Sequence, residues 1–126
     1  MESPALKTES IVGMEIFQSY GMAVGKEVFE TAYWIGRFFQ SLPPGTVFRP
    51  IYRTEVKNHT CRTARANDSM VRQAMIHRWG EPGKPRNPGP THGITKDIWS
   101  ALAIATTVYD WMRSGKPHIE HPAFAK

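Results

Sequence analysis

Hydrophobic residues recur at helical spacing along the first third of the chain. The members of this stripe are three or four positions apart: Val12, Ile16, Tyr20, Val24, Val28, Ala32, Ile35, Phe39 and Leu42. This period predicts one long helix over residues 8–42, which Pro43, Pro44 and Gly45 terminate. Such a helix would be about 50 Å long. Because that length exceeds the diameter of a compact small domain, we expect the helix to pack against a partner.

The middle of the chain lacks a sustained period. Val47, Phe48, Ile51 and Tyr52 favour a strand, but Pro50 removes a ladder donor and restricts any strand there to a sheet edge. A cap at Asp68 or Ser69 predicts one short helix that runs to about Trp79. Residues 80–93 are rich in Pro and Gly and are typical of a linker. The sequence therefore predicts an irregular segment with one short helix.

The last third contains a second apolar helix. Residues from Ile98 to Met112 are apolar on nearly every face, Thr95 is a candidate N-cap, and Arg113 to Pro117 form a stop. The predicted fold class is mainly α, an extended and non-compact chain in three parts. These parts are a long amphipathic or membrane-associated helix over 1–45, a basic irregular segment with a Pro/Gly linker over 46–96, and an apolar helix with a short tail over 97–126.

The apolar C-terminal helix raises the question of a membrane. Its longest uncharged stretch lies between Asp97 and Asp110 and is shorter than the ~20 residues that a span requires. A helix buried in protein is therefore one interpretation. Trp99, Tyr109 and Trp111 favour the other, because aromatic residues near helix ends anchor membrane helices at the interface. Both interpretations remain open at the level of sequence.

The positive charge of the chain is localised. The net charge is +5, and the whole excess lies within residues 46–96. Six arginines are the candidate contacts for anionic lipid or another polyanion: Arg49, Arg53, Arg62, Arg65, Arg72 and Arg78. Anionic phospholipid such as cardiolipin, the phosphates of RNA, and a protein docking face all fit this charge.

Residues able to carry catalysis or bind metal are few. Cys61 is the single cysteine, so the chain has no disulfide framework of its own. His59 and Cys61 lie two positions apart, and His118 and His121 lie three apart, which differs from the paired spacing of zinc sites. No glycine-rich phosphate loop is present. We expect no metal, no cofactor and no enzymatic activity.

Three glycines near the start carry a resemblance. Gly13 is followed eight positions later by Gly21, and Gly21 and Gly25 form a GxxxG motif, which packs helices closely in membranes. This spacing resembles the N-terminal membrane helix of mitochondrial ATP synthase subunit e. Met14 and Glu15 stand where that family has a basic and an aromatic residue. The resemblance implies that Gly13, Gly21 and Gly25 pack helices in the membrane-embedded dimer region of the synthase.

These features predict a non-catalytic accessory subunit of a mitochondrial inner-membrane complex, either ATP synthase or the respiratory chain. Its partners would be other subunits and anionic phospholipid such as cardiolipin. The alternative is a basic RNA-binding structural component of a ribonucleoprotein such as a mitochondrial ribosome. A small soluble enzyme or regulator is a third class, which no sequence motif supports.

Overall fold

The computed structural model describes residues 10–17, 21, 23 and 25–115. Within this part of the chain, a parallel pair of strands lies between one helix on one face and three helices on the other. The elements in chain order are β1 (Ile11–Ile16), α1 (Lys26–Ser41), β2 (Val47–Tyr52), α2 (Arg53–Cys61), α3 (Asp68–Trp79), β3 (Gly83–Lys84), β4 (Asn87–Pro88) and α4 (Asp97–Arg113).

The prediction of one helix over residues 8–42 is wrong. Residues Ile11–Ile16 form β1, which pairs in parallel with β2 from Ile11↔Val47 to Ile16↔Tyr52. The β-branched residues of both segments favour extended chain, and Gly21 has a φ of +80° that an α-helix does not allow. The apolar positions Tyr20 and Val24 of the predicted stripe lie outside the described residues.

Pro50 is accommodated in β2 because of its register. The backbone N–H of Val47 donates to the carbonyl of Ser10 at 2.9 Å. In a parallel ladder the groups that face the partner strand recur at every second residue, so Val47, Arg49 and Ile51 face β1. Pro50 therefore lies at a position whose N–H would point away from β1. No bond of the ladder is lost, and the strand continues through the proline.

The two faces of the sheet are covered differently. Ile51 is fully buried in a core that α2, α3 and α4 supply. Phe48, on the opposite face, packs edge-on against Phe39 of α1 with ring centroids 5.1 Å apart. Phe39 is the one buried residue of α1, and four large apolar residues of that helix are exposed: Phe29, Tyr33, Trp34 and Phe38. The three-helix face thus carries the core, and α1 covers its face loosely.

The middle segment is not irregular, which is a second correction. α2 begins at the residue after β2, and α3 follows with its first turn capped by Asn67, whose side chain accepts from the N–H of Met70 at 2.9 Å. Gly80, with a φ of +117°, ends α3. Inside the predicted linker, β3 and β4 form a short antiparallel hairpin. Thr91 follows the hairpin and is buried, donating to the carbonyl of Gly80 at 2.7 Å.

The C-terminal segment forms α4, which is not the apolar helix that we expected. Its buried face contains Thr106 and Thr107, whose hydroxyls donate to the carbonyls four residues earlier in the helix. Trp99 and Ala103 complete that face in the core. Among the described residues, no helix has both the length and the hydropathy that crossing a bilayer requires.

Candidate anion-binding cleft

An open cleft of about 710 Å³ lies at the carboxyl ends of the two strands. Open α/β sheets bind ligands at this edge, because the helices that follow the strands begin there. Seven charged residues line the cleft: Glu15, Arg53, Lys57, Asp68, Arg72, Lys96 and Asp97. Their side chains come from β1, α2, α3, α4 and the residue before α4, so the fold itself assembles this group.

Three helices begin at the cleft. Its walls include the first residues of α2, α3 and α4, namely Arg53, Asp68 and Asp97. The N-terminus of a helix carries partial positive charge and backbone N–H groups that favour an anion. Asn67 caps α3 with its side chain, and Glu55 accepts from the backbone N–H of Tyr52 at the start of α2, whereas α4 has no side-chain cap among the described residues. The uncapped start of α4 and the basic side chains therefore favour the same ligand charge.

Lys96 holds a strained backbone at the rim of the cleft. Its φ is +40° and its ψ is −118°, and it is one of two non-glycine residues with positive φ among the described residues. A non-glycine residue in such a region costs on the order of 1–3 kcal/mol. The bend is stabilised where the N–H of Trp99 donates to the carbonyl of Lys96 at 3.1 Å. This conformation places a lysine immediately before the helix start.

Two arginines of the cleft are held by neighbouring side chains. Arg53 forms an ion pair with Asp68, and both side chains are more than half exposed. Exposed pairs of this kind contribute about 0–1 kcal/mol, so an anionic ligand can compete for the guanidinium. The guanidinium of Arg72 lies over the ring of Trp99, 5.4 Å from the centroid. That cation–π contact holds the guanidinium itself against the ring, while the residue stays exposed at the cleft.

Gly13 and the register of β1 position Glu15. A Cβ on Gly13 would lie 2.9 Å from Val108 Cγ2 and 3.1 Å from Ile104 Cγ2, so β1 packs directly on α4 at this point. Glu15 is two residues further along and lies on the same face of the strand. There it lines the cleft together with Asp97 at the start of α4. Neither carboxylate has an ion-pair partner among the described residues.

Carboxylates are the side chains of this cleft best suited to a cation. Among the described residues, no group of three or more His, Cys, Asp or Glu side chains is placed to hold a metal ion. Glu15 and Asp97 are the carboxylates there without an ion-pair partner among the described residues, and Mg²⁺ is usually held by one or two carboxylates together with phosphate oxygens of the substrate and water. A metal ion at this site would thus depend on the phosphate ligand.

A second charged cluster lies at the other end of α4. Arg78 donates two hydrogen bonds to Asp110, of 2.9 and 2.8 Å, and His59 Nε2 lies 2.8 Å from the same carboxylate. The hydrogen bond from Arg78, supported by His59, lowers the pKa of Asp110 to about 2. Because the three residues come from α2, α3 and α4, this Asp110 cluster joins the three helices.

The six predicted polyanion contacts separate into several environments. Arg53 and Arg72 line the cleft. Arg49 is buried, with its guanidinium 5.8 Å from the ring centroid of Trp111, and Arg78 is committed to Asp110. The other two are exposed near the turn between α2 and α3 and do not line the cleft: Arg62 and Arg65. Arg62 has a φ of 61° and ends α2.

The predicted helix-packing glycines do not share a helix. Gly13 is in a strand, Gly21 is in the connection before α1, and Gly25 is the N-cap of α1. Apart from the neighbouring residues in the chain, no atom of the described residues lies within 4 Å of a Cβ placed on Gly21 or Gly25. Of the expected membrane anchors, Trp99 belongs to the core, Trp111 packs against it, and Tyr109 is exposed and accepts a hydrogen bond from Arg113.

Five charged residues of the cleft were not predicted as site residues from the sequence: Glu15, Lys57, Asp68, Lys96 and Asp97. The local signal for Asp97 was its place in the first turn of a predicted helix, directly after a lysine. Glu15 had no such signal, because the incorrect long helix placed it at the margin of an apolar stripe. Comparison with models of protein families, with curated proteins and with solved structures finds no match to this chain.

Proposed function

We propose that this chain binds the phosphodiester backbone of nucleic acid in the cleft. The observation that carries the proposal is the convergence of Lys57, Arg72 and Lys96 with three helix N-termini at the carboxyl ends of parallel strands. Lysine and arginine neutralise phosphates and release their counterions, which is the main source of sequence-independent affinity for nucleic acid. The excess positive charge of residues 46–96 supports the same ligand.

The shape of the cleft favours a polymer over a small ligand. A mononucleotide site is usually an enclosed, largely apolar pocket. This cleft is open to solvent, and seven charged side chains lie among its lining residues beside an apolar floor. A backbone can therefore enter at one side and leave at the other while successive phosphates contact different cations.

The carboxylates determine how the phosphate binds. Glu15 and Asp97 would repel a phosphate that approached them directly. A divalent cation held by Glu15 and Asp97 would remove this repulsion, because it would neutralise the charge of the two carboxylates. We therefore expect nucleic-acid affinity to increase with Mg²⁺, and Mg²⁺ alone to bind weakly.

The proposal is tested by the fluorescence anisotropy of a labelled single-stranded or duplex oligonucleotide, titrated with protein in Mg²⁺ at low salt. The variant Lys57→Gln/Arg72→Gln/Lys96→Gln is expected to bind at least about 100-fold more weakly, because three phosphate contacts are removed. The matched control Arg113→Gln removes a cation at the far end of α4 and is expected to change the affinity less than about threefold. Equal losses in both variants would show that binding is not located in the cleft.

Hydrolysis of the bound phosphodiester is a second candidate function, and the pair of carboxylates beside the cations favours it. A metal ion held there would polarise the phosphoryl oxygen and lower the pKa of a bound water, and the cations would stabilise the charge of the transition state. The expectation of a non-enzyme stays a prediction. The test is Mg²⁺-dependent cleavage of an end-labelled oligonucleotide. Glu15→Gln/Asp97→Asn should abolish cleavage, and cleavage that persists in this variant would exclude these carboxylates.

A role as an accessory subunit of a mitochondrial inner-membrane complex also stays a prediction. The exposed aromatic residues of α1 support a protein partner of some kind, because large apolar patches on a surface mark interaction sites. The alternative, an RNA-binding component of a ribonucleoprotein, uses the same phosphate chemistry as the cleft. Binding measured with RNA and DNA of the same sequence separates a preference for RNA from binding to the backbone alone.

A further inference from the structure

The outer edge of β1 has no paired strand in the part of the chain that the structure describes, because β1 pairs there with β2 on one side only. The carbonyl of Ser10 accepts from Val47, so the backbone groups at Ile11, Gly13 and Glu15 alternate with the paired ones and point to the open side. Such an edge is a template for pairing with another strand.

An exposed apolar stripe of α4 runs beside this edge. Five residues at helical spacing form it: Ile98, Ala101, Ala105, Tyr109 and Met112. A groove of about 320 Å³ separates the stripe from β1, and Ile11, Gly13 and Ala105 are among its lining residues. One face of α4 is buried in the core, and this apolar stripe lies on another face that is exposed to solvent. Exposed apolar patches of this kind mark interaction sites.

The edge and the stripe have matching lengths. A strand of six residues is about 20 Å long. The stripe extends from Ile98 to Met112, which is about 21 Å along the helix axis. One partner can therefore satisfy both surfaces at the same time.

The stripe is complementary to itself across a twofold axis at Ala105. Antiparallel pairing of two copies of α4 about this residue places Ala105 against Ala105 and Ile98 against Met112. It also places Tyr109 of each copy against Ala101 of the other, which packs a large side chain against a small one. Small residues at the centre of a helix pair allow the axes to approach closely.

The strand edge has its centre at the same place. Gly13 is the middle of the three outward-facing positions, and it lies against Ile104 and Val108 of α4, on either side of Ala105 in sequence. One twofold axis can thus relate Gly13 to Gly13 in an antiparallel strand pair and Ala105 to Ala105 in a helix pair. Twofold symmetry of this kind is the commonest arrangement of soluble oligomers.

We propose that the surface formed by the β1 edge and the α4 stripe binds a second copy of this chain. The two parallel strands of each copy then form one four-stranded sheet, with β1 antiparallel to β1 at its centre. The two copies of α4 pack on one face of this sheet. The dimer leaves the backbone groups of Ile11, Gly13 and Glu15 paired and the stripe covered.

Sedimentation equilibrium over a wide range of protein concentration tests the proposal. The wild-type chain is expected to be a dimer, and Ala105→Glu is expected to be a monomer, because two carboxylates would face each other on the axis. Ala32→Glu is the matched control, since it makes the same change at an exposed position of α1. It should remain a dimer, and circular dichroism should show that both variants are folded.

Three results would overturn the proposal. A wild-type chain that stays monomeric at the highest concentration has no such interface. A dimer that persists in Ala105→Glu has its interface elsewhere. A loss of the dimer in Ala32→Glu with its retention in Ala105→Glu assigns the interface to α1.

Discussion

The two ends of α4 carry charged clusters with different arrangements. At its C-terminal end, Asp110 is satisfied by Arg78 and His59 and joins three helices. At its N-terminal end, Asp97 faces a cleft together with Glu15, and neither carboxylate is ion-paired with a described residue. The charge of Asp110 is satisfied by residues of the chain itself, whereas the two carboxylates of the cleft are available to a ligand.

This contrast shows that residue type alone does not distinguish a charge satisfied within the fold from one open to a ligand. Arg78 and Arg72 lie six positions apart on α3, and each contacts a tryptophan ring, at 5.1 and 5.4 Å from the centroid. Arg78 also has a bidentate carboxylate partner, whereas Arg72 lines the cleft and has no carboxylate partner in the described part of the chain. The geometry of the partner decides the role, because a paired cation must lose its partner before it can bind a phosphate.

The largest effect on nucleic-acid affinity is expected from reversing the charge of two cations of the cleft. The variant Arg72→Glu/Lys96→Glu should reduce nucleic-acid affinity by more than about 100-fold, since two attractive contacts become repulsive. Its free energy of unfolding should change by less than about 1 kcal/mol, because both residues are exposed. Anisotropy and urea denaturation measure the two quantities. A variant that binds as the wild type does would place the ligand elsewhere.

Removing the carboxylate of the Asp110 cluster should lower the stability of the fold and leave the affinity for nucleic acid nearly unchanged. Asp110→Asn removes charge-assisted hydrogen bonds to Arg78 and His59 and should lower the free energy of unfolding by about 1–2 kcal/mol. Its affinity for nucleic acid should remain within about twofold of the wild-type value. Urea denaturation and anisotropy again provide the measurements. A variant with wild-type stability but weak binding would reverse the roles of the two clusters.

Acid should remove the contribution of the Asp110 cluster to stability over a defined range of pH. The pKa of Asp110 is lowered from 3.8 to about 2 by Arg78 first and by His59 in addition. A carboxyl with a depressed pKa stabilises the folded chain above its unfolded pKa, and this contribution is lost as the pH falls through the folded pKa. The difference in stability between the wild type and Asp110→Asn should therefore shrink between about pH 5 and pH 2. A difference that stays constant over this range would contradict the assignment.

The smallest effect concerns the backbone of Lys96. Lys96→Gly should relieve the strain of a positive φ, whereas Lys96→Ala should keep it. The glycine variant is expected to be more stable than the alanine variant by about 1 kcal/mol, and both should lose the same phosphate contact. Thermal denaturation and anisotropy of the pair separate the two contributions. Equal stability of the two variants would show that this turn is not strained.

Local signals in the sequence located some elements and failed for others. Asp68 to Trp79 could be read as a helix because Gly80 ends it, although the cap proved to be Asn67. The error over residues 8–42 arose because two short elements together imitate a helical period. Val12 and Ile16 belong to β1, and Val28 and Ile35 belong to α1. Parallel pairing joins segments distant in the chain, and no local pattern reports it.

The cleft could not be predicted for the same reason. Its charged residues are spread from Glu15 to Asp97, and only the β1–α1–β2 connection and the packing of α4 on Gly13 bring them together. The basic character of residues 46–96 was visible, but the sequence did not show which arginines are satisfied within the fold. Arg49 and Arg78 are among those that the structure removes from the candidate contacts.

The salt dependence of nucleic-acid affinity tests the central claim most directly. The Kd of the wild-type chain and of Lys96→Gln should be measured in Mg²⁺ between about 50 and 200 mM monovalent salt. Each phosphate contact contributes about 0.9 to the slope of log K against log salt for duplex DNA. We predict a steep slope for the wild type that falls by about one in Lys96→Gln and is unchanged in Arg113→Gln. A wild-type affinity independent of salt, or a slope that Lys96→Gln leaves unchanged, would contradict binding of the phosphodiester backbone in this cleft.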